Sequence, residues 1–152
     1  MCRAMELQPH RVRAIFFLGD GLRDVDESMA DGAELYSVQG NCDWLCAHLA
    51  LTERICELDG FRILATHGHA YNVKSGLGAL ISRAAKADAD VVLFGHTHQP
   101  LLETIPAGSV IGDRTLEHPI YLFNPGSIGY GGSFGTITIR GREILFSHGE
   151  VR

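Results

Sequence analysis

Four short apolar runs in this chain each end at a glycine-flanked polar group. Ile15-Phe16-Phe17-Leu18 runs into Gly19-Asp20, and Leu35-Tyr36-Ser37-Val38 into Gly40-Asn41-Cys42-Asp43. Phe61-Arg62-Ile63-Leu64-Ala65 runs into Thr66-His67-Gly68-His69, and Val91-Val92-Leu93-Phe94 into Gly95-His96-Thr97-His98. Runs of this length and composition predict strands over 13–18, 34–39, 61–65 and 91–94. Arg54 to Leu58 adds a strand that turns back through Asp59-Gly60, a two-residue hairpin connection. Between strands, Arg23 to Asp31 reads as a short polar-faced helix with carboxylates near its start. Val73, Leu77, Leu80, Ile81 and Ala84 recur at helical spacing, predicting an amphipathic helix over 73–87. The last third is β-rich, with candidate strands at 101–105, 120–123, 136–139 and 144–146, a turn at Gly141 and a polar loop over 107–117.

Strand and helix alternating early, then antiparallel strands late, predict an α/β fold. Two mixed β-sheets pack face to face in a sandwich flanked by α-helices. The 152 residues, 45% apolar and 20% charged, suit a single domain spanning 1–152 with a sizeable core. A formal charge of -5 argues against a broad nucleic-acid surface. Cys2, Cys42, Cys46 and Cys56 form no C-x-x-C pair, so free thiols are expected. Neither a leader-like segment nor a run of 18 apolar residues is visible, and a cytoplasmic location without membrane attachment is expected.

A lone histidine at a strand end is more often a hydrogen-bonded residue than a ligand. Asp20, Asn41, His67, His96 and His98 are different as a set, because each follows an apolar run and all are delivered where the chain leaves a sheet. Side chains alternate along an extended segment, so His96 and His98 would share one face if their turn stays extended. Carboxylate and amide oxygens with imidazole nitrogens suit Mn²⁺, Fe²⁺, Zn²⁺, Co²⁺ or Ni²⁺ better than Ca²⁺. His69 could reach a phosphate or a metal, or serve as a supporting residue or face solvent. Asp43 could bond a ligand or cap the next helix. Ser127, in Asn124-Pro125-Gly126-Ser127, could reach the pocket rim, although a tight turn explains that segment equally well. Gly129 to Gly135 fails the G-x-G-x-x-G spacing and is expected to be a mobile loop. His10, His48, His118 and His148 are expected in solvent, and Trp44 packed beside the Asn41 turn.

In their order along the chain, Gly19-Asp20, Gly40-Asn41-Cys42-Asp43, Thr66-His67-Gly68-His69, Gly95-His96-Thr97-His98 and Asn124-Pro125-Gly126-Ser127 resemble the calcineurin-like metallophosphoesterases, in particular their small single-domain prokaryotic phosphodiesterase branch. The resemblance runs from about Arg13 onward. It implies a two-metal centre in which Asp20 bridges, Asn41, His67 and His96 complete one ion's ligands, and His98 belongs to the other. Manganese is the first expectation for the ions, with Ni²⁺, Zn²⁺, Fe²⁺ or Co²⁺ as alternatives. The implied activity is hydrolysis of a phosphate ester, a diester first, by a metal-activated water, with Asp20, Asn41 and His69 in catalytic roles and a small phosphate ester as substrate.

One block of the family pattern does not match: the first strand, ending in Asp-x-His, has no counterpart, and Cys42 stands where many larger relatives carry a histidine. The expectation is a chain clipped at its start, N-terminally truncated relative to the family. The alternatives are a protein with one intact metal site, or a non-catalytic scaffold resembling the retromer subunit of the same fold. A second copy of the chain, in a homo-oligomer, could cover the place of that strand.

Overall fold

The computed structural model describes residues 4, 6, 8, 11–46 and 50–151. Its main sheet has five strands in the order β3 (Glu53–Leu58), β4 (Phe61–Thr66), β5 (Val91–Phe94), β9 (Ile120–Pro125) and β6 (Pro100–Ile105). The three inner strands β4, β5 and β9 run parallel, while β3 and β6 pair antiparallel at the two edges. Inner strands of this kind are covered on both faces and read as continuous apolar runs. Val91-Val92-Leu93-Phe94 fits that rule, with all four residues buried.

Alternation along these strands builds two cores. Leu64, Val92, Phe94, Ile120 and Leu122 face α1 (Gly78–Ala87), which presents Leu80, Ala84, Ala85 and Ala87. Ile63, Ala65, Val91, Leu93 and Phe123 face the opposite way, onto a second layer. That layer comprises β1 (Ala14–Phe17) paired parallel with β2 (Glu34–Ser37), and β10 (Ser133–Arg140) paired antiparallel with β11 (Glu143–Glu150). The expected sandwich therefore forms, but its second layer is two separate two-stranded sheets. What holds each pair down is apolar burial against the main sheet: Phe16 and Leu18 on one side, Ile137, Ile144 and Phe146 on the other.

Several local expectations are corrected. The helix expected over 23–31 is two 3₁₀ turns, Leu22–Asp24 and Glu27–Ala30, the second capped by Asp26, whose side chain accepts the Ser28 N–H. A segment this short, with no apolar stripe to bury, cannot meet the nucleation cost of a helix. The helix expected from Val73 starts only at Gly78, because Ser75 closes a turn on Asn72 and Gly76 takes φ 150°. Val73 still reaches the core from that turn. The loop over 107–117 contains a small hairpin, β7 (Val110–Ile111) and β8 (Arg114–Thr115). The glycine-rich segment is ordered as a single helical turn, α2 (Ile128–Gly131), followed directly by β10. Trp44 follows the Asn41 turn in a 3₁₀ turn but is 71% exposed instead of packed. No helix among the described residues is long and apolar enough to cross a membrane.

Two of the histidines expected in solvent are engaged, whereas His10 and His48 lie outside the described residues. His148 meets the Asn124 carbonyl through Nε2 at 2.8 Å, and its ring lies 4.7 Å from that of Phe123. His118 sits between Asp88 and Asp90, one carboxylate on each ring nitrogen at 3.2 Å, and ties the β8–β9 connection to the α1–β5 turn. Burial works against its charged form, yet the Pro119 carbonyl and the two aspartates win, and its pKa lies above the usual imidazole value. A group whose pKa is raised on folding contributes stability at low pH and loses it as pH rises through the folded value. The stability that His118 contributes, read in urea unfolding as the difference between the unaltered protein and His118→Gln, should therefore fall as pH rises past about 6.5.

Candidate metal centre

Parallel strands deliver their C-terminal ends to one edge, and this chain uses that edge in both layers. Asp20 follows β1, Asn41 follows β2, His67 follows β4 and His96 follows β5. The ligand atoms of Asp20, His67 and His96 all lie within 4.8 Å of one another. His67 is the hub. Its Nε2 lies 3.1 Å from His96 Nδ1, 3.2 Å from Asn41 Oδ1 and 3.3 Å from Asp20 Oδ2. Its other nitrogen, Nδ1, donates to the Leu18 carbonyl at 2.6 Å.

That second bond decides the chemistry. With the ring proton on Nδ1, the lone pair of His67 Nε2 points at two oxygens that also carry lone pairs. A proton on His96 Nδ1 can serve its own contact with His67 and no other. Protonating His67 is opposed by its burial, which pushes its pKa below the ordinary imidazole value despite the Leu18 carbonyl and Asp20. His96 is also held low, by burial first and then by the charge of Lys74. A convergence of hard oxygens and neutral imidazoles around shared space fits a divalent cation.

Two loops must lie almost in contact for this to happen, and both are built on glycine. A Cβ on Gly40 would stand 2.1 Å from Asp20 Oδ1, and one on Gly19 would stand 2.5 Å from the Gly40 nitrogen. Asp43 locks the two loops together. Its carboxylate, only 6% exposed, accepts the N–H groups of Asp20 at 2.7 Å, Gly21 at 2.7 Å, Leu22 at 3.0 Å and Gly40 at 2.9 Å. Burial alone would raise its pKa, but these four donors outweigh it and hold the group below the usual carboxylate range. Of the two readings of Asp43 in the sequence, neither reaches this role across 20 residues of chain. The Asp20 carboxylate is aimed in turn by the Cys42 N–H, at 2.8 Å from Oδ1.

Asn124 does the corresponding work behind the His96 turn. Fully buried, it donates to the Gly95 carbonyl at 2.9 Å and to Thr97 Oγ1 at 3.0 Å, and accepts the Gly126 N–H at 2.9 Å. Ser127 turns away from the rim to cap α2, where it accepts the Tyr130 N–H. The turn over 95–98 is not extended: His96 and His98 have φ of 65° and 60°, and Thr97 N–H folds back to the Gly95 carbonyl at 2.8 Å. The two rings accordingly separate. His96 enters the cluster, whereas exposed His98 stacks on Tyr130 with ring centroids 5.0 Å apart. Asp20, at φ 62°, shares the left-handed backbone, so three of the five expected ligands sit on strained residues. Such strain, on the order of 1 kcal/mol each, persists where the surroundings over-determine it. His69 lies on the same side, its ring 5.2 Å from His67 and 6.2 Å from His96, with a buried Nδ1 that has no hydrogen-bond partner among the described residues.

Replacing Asp43 by alanine should destabilise the protein by on the order of 3 kcal/mol, because buried N–H groups lose their acceptor. Asp43→Asn should recover little, since its NH₂ would face N–H donors. Denaturant midpoints of the two variants test this.

Known proteins bear on this geometry. The family model for the calcineurin-like phosphoesterase superfamily domain matches residues 3–139. A probable metallophosphoesterase of Bacillus subtilis, YsnB, is 34% identical over 91 residues, 60% of this chain and 46% of that protein. The match thus spans about half the length of this curated relative. Among solved structures, a conserved protein of Streptococcus pneumoniae described as a predicted phosphoesterase superposes with a TM-score of 0.72 at 22% identity. That match covers 98% of this chain and 80% of the other. Vacuolar Protein Sorting 29 from Cryptosporidium parvum gives a TM-score of 0.68 at 16% identity, over 92% of this chain and 76% of its own. At these identities the two structures speak for the fold alone.

Proposed function

This chain belongs to the calcineurin-like phosphoesterase superfamily, and we propose that it is a working hydrolase of phosphate esters, with diesters as its preferred substrates. The observation that carries the proposal is the convergence of Asp20 Oδ2, Asn41 Oδ1 and His96 Nδ1 on the lone pair of His67 Nε2. These residues would hold a divalent cation, Mn²⁺ first; the second ion that the resemblance implies, on Asp20 and His98, would require His98 to leave its stack on Tyr130. When bound, such an ion supplies an acidified water and positive charge toward the phosphoryl oxygens.

The chain's own residues account for the remainder. Asn41 is exposed, and among the described residues its Nδ2 meets only Cys42 Sγ, at 3.3 Å, so the amide can turn its donors to a phosphoryl oxygen. His69, whose ring lies 5.2 Å from that of His67, would hold or pass a proton at the ester. Lys74 adds a positive charge that is felt at both His96 and Cys42. One such charge suits the single anionic charge of a diester better than the dianion of a monoester. A small molecule with no nucleic-acid footprint is the expected partner.

A second reading keeps the metal and drops the chemistry: a scaffold. The turn of His98 out of the cluster and onto Tyr130 favours it, as does the likeness in fold to Vacuolar Protein Sorting 29.

Metal content after dialysis, together with hydrolysis of bis(4-nitrophenyl) phosphate and 4-nitrophenyl phosphate in Mn²⁺, separates the two. The hydrolase reading expects turnover with the diester ahead; stoichiometric metal without turnover of either ester would favour the scaffold. Asp20→Ala should abolish turnover and release metal, whereas His98→Ala should retain at least one ion per chain. Turnover surviving Asp20→Ala would overturn the assigned roles.

A further inference from the structure

Beside the metal centre stands an aromatic ring that the fold spends bonds to expose. Tyr130 is 85% exposed although one of its faces lies on the His98 ring, at 5.0 Å and an interplanar angle of 30°. Its outer face is therefore open to solvent. An exposed tyrosine on a loose loop would mean little, but this one sits on a turn fastened several times. Ser127 Oγ accepts the Tyr130 N–H at 3.3 Å, and the Ser127 carbonyl accepts Gly131 N–H at 3.1 Å and Ser133 N–H at 3.2 Å. Ser133 Oγ accepts the Ser127 N–H at 2.8 Å and donates to the Ser127 carbonyl at 3.4 Å. The Gly132 carbonyl takes the Val151 N–H at 2.8 Å, which pins the far end of the turn to the strand end after β11. Underneath, His98 belongs to the same four-residue turn as His96, and Asn124 holds that turn from behind.

We propose that the Tyr130–His98 pair is a preformed stacking platform that selects phosphate esters carrying a planar aromatic ring, aryl or nucleobase, on the alcohol. The proposal rests on the phosphoesterase reading for the position of the phosphate. The physical basis is independent of it: a fixed ring with one free face binds a planar group without ordering a side chain first, and offset stacking adds to the area buried. A ring that merely shields His98 from solvent would give no preference between a planar and a saturated group.

The test compares groups of equal size and similar alcohol basicity. Binding of methyl benzylphosphonate and methyl cyclohexylmethylphosphonate, each a monoanion like a diester, to the Mn²⁺-loaded protein, measured by calorimetry, should favour the benzyl compound by roughly two- to tenfold. Tyr130→Ala should bring the ratio to about one, and Tyr130→Phe should restore it. Equal affinities in the unaltered protein, a preference that survives Tyr130→Ala, or no measurable binding of either phosphonate would each overturn the platform. Hydrolysis of methyl benzyl phosphate and methyl cyclohexylmethyl phosphate is followed in parallel. A benzyl preference in binding with no turnover of either diester would support the platform and overturn the hydrolytic reading alone.

Discussion

The bond from His67 Nδ1 to the Leu18 carbonyl joins the end of β4, in the main sheet, to the end of β1, in the other layer. It fixes which nitrogen of His67 keeps its lone pair, and therefore what the ring can offer to Asp20, Asn41 and His96. Were the proton on Nε2 instead, an N–H would occupy the space where the ligands converge. The bond forms because the two layers close on the core around Ile63, Ala65, Leu93 and Leu18, so that apolar burial sets the distance across which a polar contact is made. Packing and coordination chemistry are in this sense one constraint.

Around that bond the site is assembled from backbone that few sequences would tolerate. Gly19 and Gly40 permit two loops to pass at contact distance, and left-handed residues at 20, 96 and 98 aim the side chains. Two buried polar residues outside the cluster hold this arrangement. Asp43 gathers four N–H groups from the loops after β1 and β2, and Asn124 clamps the turn after β5. Both are fully satisfied, which is the condition under which buried polar groups rigidify a fold instead of weakening it.

The division of labour between the two histidines of the last motif follows from the same backbone. His96 is drawn in and kept neutral by its surroundings, while His98 is presented outward on a ring partner. The cluster thus has His96 within it, and exposed His98 carries the Tyr130 ring outside it.

Much of this was legible in the order of residues alone. Short runs rich in apolar residues specified β1, β2, β4 and β5, of which the inner strands β4 and β5 are covered on both faces and need no polar alternation, and the polar residue ending each run had to lie at a strand terminus. Parallel connection then placed those termini at one edge, which brought Asp20, Asn41, His67 and His96 within reach before any distance was known. Tertiary structure decided what depends on long-range contact or on backbone outside the common regions. Asp43 reads locally as a helix cap because its partners at 20–22 are distant in sequence. The extended turn expected for His96 and His98 was replaced by two left-handed residues, held by Asn124, which bonds Gly95 and Thr97 from 29 and 27 positions away. Glycine-rich 129–135 looked featureless because the bonds that order it come from Ser127, Ser133 and Val151, and hydrogen-bond partners at a distance leave no period in a sequence.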